Sequence, residues 1–209
     1  MCNLYRMTKT VDEVAKWFDA IEAAGGANFG SEVYPGYPGL VVAEGQVRQM
    51  SWGFPLVMKG KSGQPLKPKP VNNARTDKLD SFFWRYSFEE RRCLIPISAW
   101  AEAQGPKGAK TRTWMSLPDA ELFACAGVWR ESDEFGLCYS MVMTDSEGSA
   151  ASDIHSRMPV LLRPQDYRCW VSESPDAAKA LCKPWNGDIT IDHTDESWTR
   201  GKGTQTKLL

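Results

Sequence analysis

Arg92-Cys-Leu-Ile-Pro-Ile97, Thr111-Arg-Thr-Trp-Met-Ser-Leu117, Leu122-Phe-Ala-Cys-Ala-Gly-Val-Trp129 and Leu137-Cys-Tyr-Ser-Met-Val-Met-Thr144 are four apolar, β-branched and aromatic runs of strand length, separated by turn residues. Their succession predicts a sheet of sequential strands. Upstream, residues 40–54 read as a hairpin about Glu44-Gly45, with Val47, Gln49 and Ser51 alternating against Arg48, Met50 and Trp52. Downstream, residues 160–162 extend the β-rich region. Thr10-Val-Asp-Glu13 has capping-box spacing, and Val14, Trp17, Phe18 and Ile21 continue at helical intervals until Gly25-Gly26. Residues 77–88, 164–170 and 175–182 read as further short helices, the last two opened by proline, and the Lys/Gly/Pro-rich residues 59–70 as a loop. These readings together predict an α+β fold, a curved antiparallel β-sheet or barrel-like core flanked by short helices, in one domain over residues 1–199 with a flexible tail at 200–209.

The chain is 209 residues long, with 42% hydrophobic and 24% charged residues, which excludes a wholly disordered or collagen-like polypeptide. No apolar run approaches the roughly 18 residues of a membrane span, and the N-terminus lacks the apolar stretch of a signal peptide, so a cytoplasmic protein is expected. Cysteines at 2, 93, 125, 138, 169 and 182 form no Cys-x-x-Cys pair and have no histidine at ligand spacing. Neither a metal, nor a disulfide framework, nor an organic cofactor is expected. Net charge is −1, yet residues 48–112 hold thirteen Lys/Arg against five Asp/Glu, a surplus of +8 that hints at a polyanionic partner.

The chemistry-bearing residues are few. Cys2, once Met1 is gone, carries a thiol and an α-amine two atoms apart, with ordinary pKa values of about 8.5 and about 7.7–8.0. Such a 1,2-aminothiol captures an aldehyde: the amine forms an imine, and the sulfur closes on the imine carbon to give a thiazolidine. An incidental cysteine near a terminus is the plainer reading. Of the two histidines, His193 lies in a polar stretch that reads as solvated, whereas His155, in Ser152-Asp-Ile-His-Ser-Arg-Met-Pro159, stands beside Arg157. It suits either an acid/base role or a structural hydrogen bond. Asn73 and Arg75, two residues apart in an extended segment, share a face, so a carboxamide and a phosphate-gripping guanidinium point the same way, unless the segment is a polar turn. Glu102 follows an apolar strand, where burial would raise its pKa toward proton-transfer use; a solvated strand-end glutamate is the alternative. Trp52 and Phe54 flank Gly53 and fit either base stacking or core packing.

These clusters resemble the SRAP (SOS response-associated peptidase) family of abasic-site processing proteins. The resemblance runs over most of the chain: Met1-Cys2, Tyr34-Pro35-Gly36, Trp52-Gly53, Asn73-Ala74-Arg75, Arg92-Cys93-Leu94-Ile95-Pro96 with Trp100 and Glu102, Ala126-Gly127-Val128-Trp129, and Asp153-Ile154-His155-Ser156-Arg157-Met158-Pro159. The resemblance implies that Met1 is removed, by the protein itself or by an aminopeptidase, and that Cys2 links covalently to an abasic site in single-stranded DNA. It further implies that Asn73 holds the Cys2 amine or the lesion, that Glu102 is the general acid/base, and that His155 binds a flanking phosphate or assists strand cleavage and crosslink reversal. Arg75, Trp52, Pro35 and Arg157 would contact the DNA, and a monomer would suffice. Three positions depart from the family pattern. Asn3-Leu4 stands where Gly-Arg is common, leaving Arg6 to supply the charge; Phe54-Pro-Leu-Val-Met58 lacks the extra tryptophans of some relatives; and Ala103 replaces a common aromatic. A cysteine peptidase or amidohydrolase using Cys2 with His155 as base, and a non-catalytic single-stranded nucleic-acid binder, are the competing readings.

Overall fold

The structure is a computed structural model, and it describes residues 1–25 and 30–199. Gly26 and the expected tail at 200–209 lie outside the described residues. In chain order the elements are β1 (Tyr5–Arg6), α1 (Val11–Trp17), β2 (Ile21–Glu22), β3 (Glu32–Val33), β4 (Pro38–Ala43), β5 (Gln46–Trp52), β6 (Phe54–Leu56), β7 (Lys69–Val71) and β8 (Asn73–Arg75). There follow α2 (Arg85–Glu90), β9 (Arg92–Ile97), β10 (Ala99–Gln104), β11 (Thr111–Ser116), β12 (Phe123–Ser132) and β13 (Gly136–Asp145). The last are β14 (Arg157–Pro159), β15 (Leu161–Leu162), α3 (Tyr167–Ser172), α4 (Pro175–Ala180) and β16 (Thr190–Ser197).

Strands β13, β12, β9, β4 and β5 pair antiparallel in that order, and β5 returns to β13 in parallel, Ser51 opposite Cys138 and Trp52 opposite Tyr139. This closes a five-stranded barrel and removes its edges. The β4–β5 hairpin turns through Glu44 and Gly45, both with positive φ (52° and 71°), the geometry a two-residue hairpin loop requires. At Gly39 on β4 a Cβ would sit 2.2 Å from the hydroxyls of both Tyr5 and Tyr139, so only glycine lets that tyrosine pair, 2.5 Å apart, lie against the strand. A second sheet, ordered β16-β11-β10-β1-β3, grows directly out of the barrel, because β9 passes into β10 through the single residue Ser98.

Arg92 shows how the helices are fastened. Among the described residues its buried guanidinium forms no ion pair and instead donates to the carbonyls of Phe88 (2.6 Å) and Glu89 (3.0 Å) near the end of α2, and to Trp170 (2.5 Å) and Glu173 at the end of α3. Carbonyls at helix C-termini lack intrahelical partners and attract cations.

The α+β barrel and the hairpin agree with the sequence reading, and three local expectations are corrected. The capping box is present at Thr10 and Glu13, but α1 stops at Trp17: Asp19 turns to φ 49°, and the Ile21 N–H bonds the Gly45 carbonyl, so Ile21 joins the sheet with its side chain exposed. Residues 77–88 form a single 3₁₀ turn at Thr76–Lys78 and a separate helix, α2. The loop at 59–70 ends in strand β7, paired with β6. Residues 99–104 and 190–197 are strands, the latter carrying His193, which is exposed and hydrogen-bonded to Thr113 (3.2 Å). Among the described residues no helix is long and apolar enough to cross a membrane.

Candidate functional site

The chain start is laid along β10. Tyr5 pairs with Trp100, and the Ala101 N–H bonds the Leu4 carbonyl (2.9 Å), so the antiparallel register carries residue 1 back toward Glu102. The barrel meets it from the other side: β8, held parallel to β13, brings Asn73, and the turn before β14 brings His155. The site therefore lies in the seam between the two sheets.

The α-amine of Met1 stands 3.3 Å from Glu102 Oε2 and 2.7 Å from His155 Nε2. The Cys2 carbonyl accepts hydrogen bonds from the side-chain amides of both Asn73 (2.8 Å) and Asn72 (2.9 Å). Among the described residues, two acceptors in the same place, Asn73 Oδ1 and Glu102 Oε1, are buried without a partner. Native interiors seldom leave such atoms unsatisfied, and an incoming ligand bearing donors would complete them.

Burial pushes the Glu102 carboxyl up to about 7, with the Met1 ammonium and Lys110 pulling the other way. Burial also lowers the half-buried His155, and the adjacent ammonium lowers it further. The loop that carries the ring is fixed through its backbone: Gln104 of β10 donates to the Ile154 carbonyl (2.5 Å) and Ser146 to the His155 carbonyl (2.5 Å). His155 Nδ1 lies 2.9 Å from the Arg157 N–H and 3.2 Å from its carbonyl, so either tautomer is satisfied and Nε2 is able to give or take a proton. The structure holds Cys2 with Met1 still in place, a state other than the Met1-free terminus whose thiol is expected to be usable near neutrality. With Met1 attached it is fully buried, its Sγ 3.5 Å from the Leu4 carbonyl, and burial, then the Glu102 charge, raise the thiol far above its ordinary value.

Other expected contacts are redistributed. Trp52 is fully buried, edge-on to Tyr5 at 5.0 Å and stacked on Tyr139 at 6.5 Å, with its indole N–H on the Asn72 carbonyl (3.0 Å); it is a core residue and offers no face to a base. Arg75 is bound in a two-pronged pair with Asp77 (2.8 and 2.5 Å), and Arg157 lies 3.9 Å from the same carboxylate, so two of the expected phosphate contacts converge on one exposed acid. Pro35 occupies a turn in which the Tyr37 N–H bonds the Tyr34 carbonyl and Gly36 has φ 83°; Tyr34 lines a cavity of about 290 Å³ with Asn3, Trp198 and Thr199. Arg6 does not face this site: its guanidinium stacks 3.7 Å over Trp114 and pairs with Glu32 (3.2 Å) and Glu196 (3.5 Å). The basic surplus of residues 48–112 is also partly spent inside the fold, Arg48 on Glu44, Arg92 on helix ends and Arg112 on Glu32 and Glu196. Exposed lysines remain at 59, 61, 67, 69 and 78, and at 107 and 110.

The sequence reading named Cys2, Asn73, Glu102 and His155 as catalytic candidates, and the structure brings these four together around residue 1. It missed Asn72, which sits in a polar run that looked like turn composition, and Lys110, close enough to lower both Glu102 and His155.

The family model described as SOS response associated peptidase (SRAP) matches residues 1–196. The chain belongs to the SRAP family. Among curated relatives, the SRAP chain is 24% identical over 203 residues to "Abasic site processing protein YoqW" of Bacillus subtilis, covering 90% of this chain and 89% of that one. It is 25% identical over 202 residues to "Abasic site processing protein YobE" of the same organism, covering 90% and 91%. Crystal structures of proteins from Bordetella bronchiseptica (TM-score 0.76, 20% identity, 92% of this chain and 99% of that) and Bacteroides thetaiotaomicron (TM-score 0.75, 16% identity, 92% and 91%) share the SRAP chain's fold.

Proposed function

We propose that this SRAP protein processes abasic sites in single-stranded DNA by covalent capture through Cys2 after Met1 is removed. The observation that carries the reading is the convergence of Glu102 and His155 on the amine of residue 1, while the carbonyl of Cys2 is gripped from the barrel side. Hydrolysis of the Met1–Cys2 peptide, by the protein itself or by an aminopeptidase, frees the Cys2 amine beside an acid/base pair. The amine then adds to the aldehyde of the ring-opened sugar. A proton delivered to the carbinolamine oxygen lets water leave, and the Cys2 sulfur closes on the imine carbon as its proton passes to the imine nitrogen. One water is lost overall. A carboxyl that burial raises toward neutrality is matched to such transfers. Arg75, Arg157 and Lys110 supply positive charge for the phosphates flanking the lesion. A nucleotide that keeps its base presents no aldehyde, so discrimination lies in the lesion and in access. The protein acts as a monomer in the cytoplasm, on the nucleoid when DNA-bound.

The test is incubation with single-stranded DNA bearing one abasic site, followed by denaturing electrophoresis and intact-mass measurement. A stable adduct at the summed mass less one water is expected, absent with Cys2→Ala and with undamaged DNA. Peptide turnover without DNA would instead favour a peptidase. Salt-sensitive retention unaffected by Cys2→Ala, with no adduct, would favour a simple binder.

A further inference from the structure

Successive side chains of a strand point to opposite faces, yet Asn72 and Asn73 reach the same oxygen. The break between β7 and β8 falls at residue 72 and makes this possible. The backbone there is pinned from two sides, since the Asn72 carbonyl accepts from the Trp52 indole (3.0 Å) and from the Met141 N–H (3.0 Å). The Asn72 side chain is buried, and its amide nitrogen donates to both the Cys2 carbonyl (2.9 Å) and Asn3 Oδ1 (3.1 Å).

From this geometry we infer that Asn72, braced by Asn3, is a positioning residue that clamps Cys2 by its carbonyl and presents amine and thiol together to the lesion. The clamp holds atoms that survive the loss of Met1: the Cys2 carbonyl is still there when residue 2 becomes the terminus, whereas the Met1 contacts to Glu102 and His155 are gone. It also gives a use to the asparagine at position 3, whose side chain supplies the acceptor that the second Asn72 proton needs. Holding a reactant in one geometry accelerates reaction at that geometry and slows its encounter with unrelated reagents.

The inference rests on the crosslinking role proposed for Cys2, so two readouts are needed. Met1-free protein, verified by intact mass, is reacted in parallel with an abasic-site oligonucleotide and with 2-cyanobenzothiazole, a small reagent specific for terminal 1,2-aminothiols. Asn72→Ala is expected to crosslink about tenfold more slowly, to label several-fold faster, and to retain undamaged single-stranded DNA as wild type does. Asn72→Asp, which keeps the shape but turns the donor into an acceptor, should do the same, and Asn3→Ala should show a smaller change of the same signs. A cooperative thermal melt identifies variants that fold. Crosslinking within twofold of wild type for Asn72→Asp, or labelling that does not rise, overturns the clamp. If wild type forms no adduct, the capture reading fails, and the labelling difference alone decides whether the clamp exists.

Discussion

The barrel core and the seam beside it are both buried and use burial for opposite ends. In the core, Tyr5 and Tyr139 share one hydrogen bond and Trp52 places its indole N–H on a backbone carbonyl, while the equally buried Trp100 indole N–H has no partner among the described residues. In the seam, Glu102 Oε1 and Asn73 Oδ1 are equally hidden and have no partner among those residues either. Leaving a buried acceptor unpaired costs about 1–3 kcal/mol, and a fold tolerates that where the missing donors arrive with a ligand. The unpaired core atom is a donor on a packed tryptophan, whereas the seam's unpaired atoms are acceptors beside the start of the chain, where donors on a ligand would complete them.

The largest expected effect separates the two regions through Trp52. Trp52→Ala should cost about 3–5 kcal/mol of stability, the usual loss for a large buried aromatic, read as a lower urea midpoint at unchanged slope. At a temperature where the variant is folded, retention of single-stranded DNA should match wild type. Loss of retention without loss of stability would move Trp52 out of the core and into the DNA contact, and the contrast would fail.

Trp52, which the sequence pattern leaves between base stacking and core packing and the resemblance assigns to DNA, shows where legibility in the sequence ended. The strands from Arg92 to Thr144 were readable because β-branched and apolar residues define a half-buried pleat whatever surrounds it. Trp52 carries the same pattern whether its face meets solvent or Tyr139, and only the parallel seam between β5 and β13 decides the matter. Ile21 sits at a helical interval from Trp17 and Phe18, but the competing hydrogen bond comes from Gly45, which local spacing does not reveal. Strand β16 is polar and mostly exposed, so it has no apolar period to detect. In the candidate site, residue type alone left Cys2, Asn73, Glu102 and His155 each with a plainer alternative, and the resemblance to the SRAP family is what singled them out together. Asn72 was not legible, since its reach to Cys2 depends on a break between two strands. The burial of the Cys2 thiol was not either, since it follows from packing far along the chain.

Glu102 offers the next test, in pH dependence. Its pKa is raised in the folded protein, from an ordinary 4.5 to about 7, so the stability it confers is fully present below 4.5 and is lost as pH climbs through 7. Glu102→Gln removes that titration. Relative to the variant, wild type carrying Met1 should lose on the order of 2–3 kcal/mol between pH 4.5 and 8, seen as thermal melting curves that diverge with pH. Equal pH dependence in the two proteins would mean that the carboxyl is solvated and that the seam is not buried in the sense argued. Adduct formation by Glu102→Gln should be slower by a factor of about 10²–10⁴, the range for a general acid/base, with DNA retention preserved.

The smallest expected effect concerns the exposed edge of the seam, where Asp77 holds the Arg75 guanidinium in a two-pronged pair and stands 3.9 Å from Arg157. An exposed ion pair contributes only about 0–1 kcal/mol to stability, so Asp77→Asn should leave the melting temperature nearly unchanged. Its effect should fall on DNA instead. A phosphate approaching Arg75 must displace the carboxylate, and losing that competitor should tighten retention of single-stranded DNA by a few-fold, within the roughly tenfold that 1.4 kcal/mol represents, with a steeper dependence on salt as one more cation meets phosphate. Arg75→Gln should weaken retention and flatten the salt slope, and in that background Asp77→Asn should add little, because the cation it was restraining is gone. Additive effects of the two substitutions would show that Asp77 repels the DNA directly rather than by occupying Arg75, and would leave the core-and-seam contrast intact while redrawing the seam's outer boundary.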